Sequence, residues 1–186
     1  MTIEDTIKTS LIEARQAIDE HGVSERGMQA IQSVLHRLAS TPGLGEAVTL
    51  QELHSGSAAV AVLASEGSDG ITLMYGRFSP DQPTPIHDHG SWGVAYVLSG
   101  RDRYIHWKRQ DDGRDPGRAT LEIEYERVLA PGDSVYWFDP PADIHSQQGY
   151  AGETAFELVM FGHDPMQVDR HYFDVDSGKV VTARAH

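Results

Sequence analysis

The chain has 186 residues, 39% of them apolar and 23% charged, which suits one domain with a core of its own. Its 28 acidic and 15 basic residues leave a formal charge of -13, which excludes the basic footprint that nucleic acid or an anionic lipid surface requires. There is no cysteine, so disulfides, thiolate metal sites and cysteine nucleophiles are excluded too.

The first residues, Met1 to Gln16, carry acids and lack the basic-then-apolar layout of a secretion signal. No apolar run approaches the roughly 20 residues that span a bilayer, and a cytoplasmic location is the default expectation. Ile3, Ile7, Leu11, Ala14 and Ile18 recur at helical spacing, with Thr2 and Asp5 placed to cap the start and His21-Gly22 to stop it. A second helix is predicted from near Ser24, burying Met28, Ile31, Val34, Leu35 and Leu38. It ends at Thr41-Pro42-Gly43, where proline cannot continue the ladder. Residues 1–43 therefore read as helices packed on a barrel, and residues 44–186 as that β-barrel with a C-terminal tail, all in one domain.

After Leu44 the pattern changes to short strands and turns. Ala58 to Leu63 and Ile71 to Phe78 are apolar enough to be buried strands, and Trp92 to Leu98 is a third, ended at Ser99-Gly100. Arg103 to Arg109 continues to a turn at Asp111-Asp112-Gly113. Leu121, Ile123 and Tyr125 then alternate with Glu122, Glu124 and Glu126, predicting a strand with one wet face. Pro131-Gly132-Asp133 is a turn, Ser134 to Phe138 a strand and Ala155 to Phe161 another. Beyond Asp164 the pattern is weaker, with Val175, Val180 and Val181 as anchors. Many short, evenly spaced strands indicate a sandwich or barrel.

His87-Asp88-His89 is set apart from the other histidines by its spacing. On a strand, residues i and i+2 share a face, so both imidazoles can reach one metal ion. Pro83-Thr84-Pro85 fixes an extended approach to the pair. Far downstream, Pro131-Gly132-Asp133, a strand, Pro140-Pro141 and then His145 form a second block. The two blocks together resemble the cupin superfamily, whose first motif contains H-x-H and ends in glycine, as Gly100 does here. The resemblance implies a double-stranded β-helix barrel (jelly roll), with an N-terminal helical segment here, and His145 as third ligand beside His87 and His89. Cupins commonly supply a glutamate shortly after H-x-H; the stretch from His89 to Val94 has none, which leaves a neutral three-histidine site. Imidazole suits iron, copper, zinc and nickel, so ligand type alone does not choose the metal.

The segment Thr84 to Val94 further resembles the thiol dioxygenase branch, near the bacterial relatives of cysteine dioxygenase and 3-mercaptopropionate dioxygenase. That resemblance implies Fe(II), a small-molecule thiol substrate, dioxygen and a sulfinic acid product, and cupin precedent allows a homodimer. Gly93 stands where animal cysteine dioxygenase has the cysteine of a Cys-Tyr cross-link. Two departures stand out. The family's Ser-x-His-x-Tyr triad falls on Glu157, Val159 and Phe161, which makes Glu157 the candidate catalytic carboxyl: a group for a cationic substrate, a base or a fourth ligand. The region from Ala58 to Leu63 lacks the arginine or glutamine that would hold a substrate carboxylate. Two other readings fit the same residues: a three-histidine dioxygenase of a non-thiol substrate such as a β-diketone, and a non-catalytic metal-binding sensor.

The remaining polar residues have plainer expectations. Arg77, Arg101, Arg103 and Tyr104 lie on or beside strands, with ion-paired or solvated roles as the default. His106 is read as a hydrogen-bonded strand histidine, and Asp88 as facing away from the metal. His21, His36, His54, His163, His171 and His186 have no ligand context.

Overall fold

The computed structural model describes residues 2–47 and 58–184. Two helices lead the chain, α1 (Ile3–His21) and α2 (Glu25–Ala39), followed by a short turn of helix, α3 (Leu44–Ala47). The start of α1 is a reciprocal cap: Thr2 Oγ1 accepts from the Asp5 amide at 3.1 Å, and Asp5 Oδ2 accepts from the Thr2 amide at 2.9 Å. Ser24 caps α2 by accepting from the Gly27 amide at 3.2 Å. Both helices begin where the sequence places them. His54 and His186 lie outside the described residues.

The strands are β1 (Ala58–Ser65), β2 (Thr72–Phe78), β3 (Ile86–His87), β4 (Gly93–Ser99), β5 (Asp102–Arg109) and β6 (Leu121–Leu129). They continue with β7 (Ser134–Trp137), β8 (His145–Gly149), β9 (Ala155–Phe161), β10 (Asp169–Asp174) and β11 (Lys179–Arg184). All pairings are antiparallel, in one sheet of order β1-β2-β9-β4-β7 and another of order β11-β10-β3-β8-β5-β6. Two sheets wound from alternating segments of one chain form the double-stranded β-helix of cupins, with the helices laid on one sheet.

The near-continuous apolar runs of β2, β4 and β9 follow from that architecture, because both faces of the five-stranded sheet are covered. Leu73, Val94, Tyr96, Leu158 and Met160 point outward onto Met28, Ile31, Leu35 and Leu38 of α2 and onto the buried face of α1. Met74, Ala95, Val97, Val159 and Phe161 point inward, where they meet Tyr104, Leu129, Val135 and Trp137. Each large side chain so buried stabilises the fold by about 1.5–3 kcal/mol.

Three expectations are corrected. β1 is half-exposed rather than buried, with Val60 at 44% and Val62 at 47%, because among the described residues it is an edge strand paired only with β2. β6 is also an edge, and a register shift at His106/Trp107 leaves Ile123 exposed instead of alternating cleanly inward. In the tail only Val180 of the three expected valines is buried, packed with Phe173; Val175 and Val181 are exposed. The tail forms β10 and β11, which extend the second sheet beyond β3.

Candidate metal centre

His87 and His145 face each other across β3 and β8 as a directly paired couple. His89 lies beyond the end of β3, and Gly90, at φ +75°, turns the chain toward β4 in a conformation that favours glycine. All three imidazoles are buried, and their Nε2 atoms converge: 3.1 Å separates those of His87 and His89, and 3.3 Å those of His89 and His145. His87 Nδ1 lies 2.8 Å from the Pro85 carbonyl and His145 Nδ1 lies 3.1 Å from the Asp143 carbonyl. A carbonyl only accepts, so both Nδ1 atoms carry the proton and both Nε2 atoms present lone pairs. His89 Nδ1 is buried without a partner among the described residues, its ring held between Trp137 and Phe161 at centroid distances of 5.7 and 4.7 Å.

Burial first, then the positive charge of Arg170, lowers the pKa of His87 to about 4. Burial and the neighbouring His87 hold His89 and His145 well below the ordinary histidine range. The cluster is therefore neutral at physiological pH, with the Nε2 lone pairs of His87 and His145 turned toward Nε2 of His89. Imidazoles bound to one metal at about 2.1 Å, at angles between octahedral and tetrahedral, put their nitrogens about 3.0–3.4 Å apart. The observed spacings fall in that range, so the three residues can hold a metal ion. Among the described residues no other histidine or carboxylate joins the group.

The surroundings are built from segments remote in sequence. Asp143 Oδ2 accepts from the amides of His89 at 3.0 Å and Gly90 at 2.8 Å, and burial raises this carboxyl to about 6. His163 Nε2 lies 2.8 Å from the His89 carbonyl. Asp88 faces away, as expected, and accepts from the His171 amide and ring at 2.8 and 2.7 Å. Thus His163 and His171, without ligand context in the sequence, brace the loop that carries two of the clustered histidines. Arg170, on β10 two residues before Tyr172, shares a face with it, and Tyr172 stacks on His87. The guanidinium is buried, donates through Nε to the Pro165 carbonyl at 3.2 Å, and has no carboxylate within ion-pair distance among the described residues. Its charge acts on all three histidines.

Glu157 points into the barrel and is fully buried, but its partners are not the histidines. Gln147 Nε2 donates to Glu157 Oε2 at 2.9 Å and to Asp102 Oδ2 at 3.1 Å, so one amide bridges the two carboxyls. Two adjacent acids without a cation cannot both ionise in such a place. Burial raises Asp102 to about 7 and, with the neighbouring Asp102 charge, pushes Glu157 well above the carboxylate range, so Glu157 holds a proton. The other two positions of its face, Val159 and Phe161, are apolar interior groups, and Phe161 packs on His89.

Trp137 closes the site on another side, its ring 4.5 Å from that of His145. A cleft of about 310 Å³ between the edge strands β6 and β7 leads in to Trp137 and His106. His106 is directly paired with His145 across β5 and β8, stacks on Tyr125 and lies 3.4 Å from Glu124. Arg101 and Arg103 form exposed ion pairs with Glu153 and Glu126, as expected of arginines beside barrel strands.

No helix among the described residues is long and apolar enough to cross a membrane. No protein-family profile matches the chain, and no curated protein matches it. Solved structures do. An oxalate oxidase in complex with the substrate analogue glycolate is 19% identical, with 68% of this chain and 55% of that one covered at a TM-score of 0.44. This chain thus spans about half the length of that relative. A cupin superfamily protein from Desulfitobacterium hafniense is 15% identical, with 67% and 93% covered at a TM-score of 0.45. The polyketide cyclase RemF from Streptomyces resistomycificus is 23% identical, with 60% and 69% covered at a TM-score of 0.40. The strand order of the two sheets, and not these distant likenesses, is what makes the chain a cupin-type barrel.

Proposed function

We propose that the protein is an iron(II)-dependent dioxygenase that oxidises a small thiol bearing an acidic group. The observation that carries this reading is the convergence of three neutral Nε2 atoms beside a buried guanidinium that lacks a carboxylate partner among the described residues. His87, His89 and His145 would hold the metal. Three protein ligands of an octahedral ion leave room for a substrate and for dioxygen, and bound iron(II) would supply the redox chemistry. The balance is that of thiol oxidation: both atoms of dioxygen enter the sulfinic acid product and the sulfur supplies the electrons.

The remaining work falls to the chain itself. Arg170 binds the acidic group of the substrate, supplying what the region from Ala58 to Leu63 lacks, and its planar fork suits a carboxylate. Trp137, Phe161 and Tyr172 pack around the ligand rings and exclude water. Glu157 remains in this reading as a proton-holding acid deeper in the barrel, where its protonated form and Asp102 carry a single negative charge between them.

The test is oxygen uptake by anaerobically iron-loaded protein offered thiols with and without a carboxylate, and a β-diketone. Uptake is expected only with iron and thiol, fastest for the carboxylated thiols, and lost in His87→Ala, His89→Ala and His145→Ala. Full uptake after removal of any one histidine, or uptake with the diketone alone, overturns it.

A further inference from the structure

His89 is the ligand that no strand holds. β3 ends at His87, and the pairing of β3 with β8 consists of the single couple His87 and His145. The position of the His89 ring therefore depends on what grips the backbone of His89 and Gly90. Besides the His163 ring on the His89 carbonyl, that grip comes from the segment preceding β8, which holds the two amides. Asp143, only 1% exposed, accepts the two successive amides of His89 and Gly90 on one carboxylate oxygen, at 3.0 and 2.8 Å. Its backbone carbonyl faces His145 Nδ1 at 3.1 Å and so fixes which nitrogen of that ring is free. Nearby, Asp139 Oδ1 accepts from the Trp92 amide at 2.9 Å but, among the described residues, hydrogen-bonds neither the histidine rings nor the amides of His89 and Gly90.

We propose that Asp143 is the positioning residue of the metal centre, setting His89 through its carboxylate and His145 through its carbonyl. The proposal rests on reading the histidine cluster as a metal site, and it goes beyond that reading by naming what holds the two halves in register. Two amides on one carboxylate oxygen are charge-assisted hydrogen bonds in a buried place, about twice as strong as neutral ones. A neutral amide at 143 would keep the shape and weaken both; alanine would remove them and free the loop. Residues that orient metal ligands in this way typically contribute about 10–100-fold to metal affinity.

The experiment is titration of the metal-free protein with cobalt(II), read by its visible ligand-field bands, in the wild type, Asp143→Ala, Asp143→Asn and Asp139→Asn. Asp143→Ala should bind cobalt about 10–100-fold more weakly with shifted bands, while Asp139→Asn keeps both the affinity and the bands of the wild type. A merely structural aspartate would lower the melting temperature and leave both unchanged. Should Asp143→Ala not fold, Asp143→Asn carries the test, with cobalt affinity reduced and bands displaced. Wild-type affinity and bands in the folded Asp143 variants, or an equal loss in Asp139→Asn, overturn the proposal. Because cobalt binding is read without turnover, a wild type that binds cobalt tightly but consumes no oxygen counts against the dioxygenase and not against Asp143.

Discussion

Gly93 and Trp137 are directly paired across β4 and β7, and the indole of Trp137 lies where a side chain at 93 would have to go. Trp137 also donates through Nε1 to the Ser91 carbonyl at 3.1 Å and packs on the ring of His145. Glycine at 93 is thus a packing requirement of this barrel. Gly93→Ala is expected to destabilise the fold by about 1–3 kcal/mol through overpacking. At about 2–4 °C per kcal/mol for a chain of this size, the melting temperature should fall by several degrees. Unchanged melting would mean that the indole has somewhere else to go.

Arg170 gives the sharpest kinetic prediction. Arg170→Met should raise KM for a carboxylated thiol by about 10–100-fold, the range expected for one lost hydrogen bond to a charged group. It should leave KM for a thiol without an acidic group within a few-fold. Steady-state oxygen uptake with the two substrate types makes the comparison. Equal losses on both would assign Arg170 to holding the barrel together.

The buried carboxyls predict how stability depends on pH. Asp102 and Glu157 both have folded pKa values above their unfolded values of about 4, so the folded state binds the extra protons. Their contribution is complete below about pH 4 and is lost as pH rises through the folded values, about 7 for Asp102 and well above the ordinary carboxylate value for Glu157. The buried histidines act oppositely. Their folded values lie below the unfolded one, so stability rises with pH up to about 6.5 and is flat beyond. Above about pH 7 the acids alone remain, and the metal-free protein should lose up to about 1.4 kcal/mol per pH unit per group still titrating. Melting curves from about pH 6.5 to 9 check this, with Glu157→Gln expected to flatten the slope. A slope that Glu157→Gln leaves unaltered would refute the proton held on Glu157.

The three clustered histidines and the leading helices are legible in the sequence because their signals are local: caps, a helical stripe, an H-x-H spacing and a second motif. The inward direction of Glu157 follows from the two-residue period of β9. What faces it does not, because Asp102 and Gln147 come from other strands. β8, with the sequence HSQQG, does not read as a strand by its apolar content. It is buried because Thr84 Oγ1 accepts from the Gln147 amide and Asp102 accepts from the Gln147 side chain. The exposure of β1 depends on its place at the sheet's edge, which no local pattern records. Arg170 and Asp143 are hidden in the sequence for a related reason. Arg170 sits on a strand of mixed polar character in the tail, and Asp143 is one acid among several beside the second motif, its meaning set by a loop remote in sequence.

Whether His87, His89 and His145 form one iron site is measured most directly by anaerobic iron(II) binding. One iron per chain is expected in the wild type. Each of His87→Ala, His89→Ala and His145→Ala should lose at least about tenfold in affinity, the lower end of what a disturbed ligand set costs. Iron bound with wild-type affinity after loss of any one histidine would contradict the site, as would a folded wild-type chain that binds no iron at all.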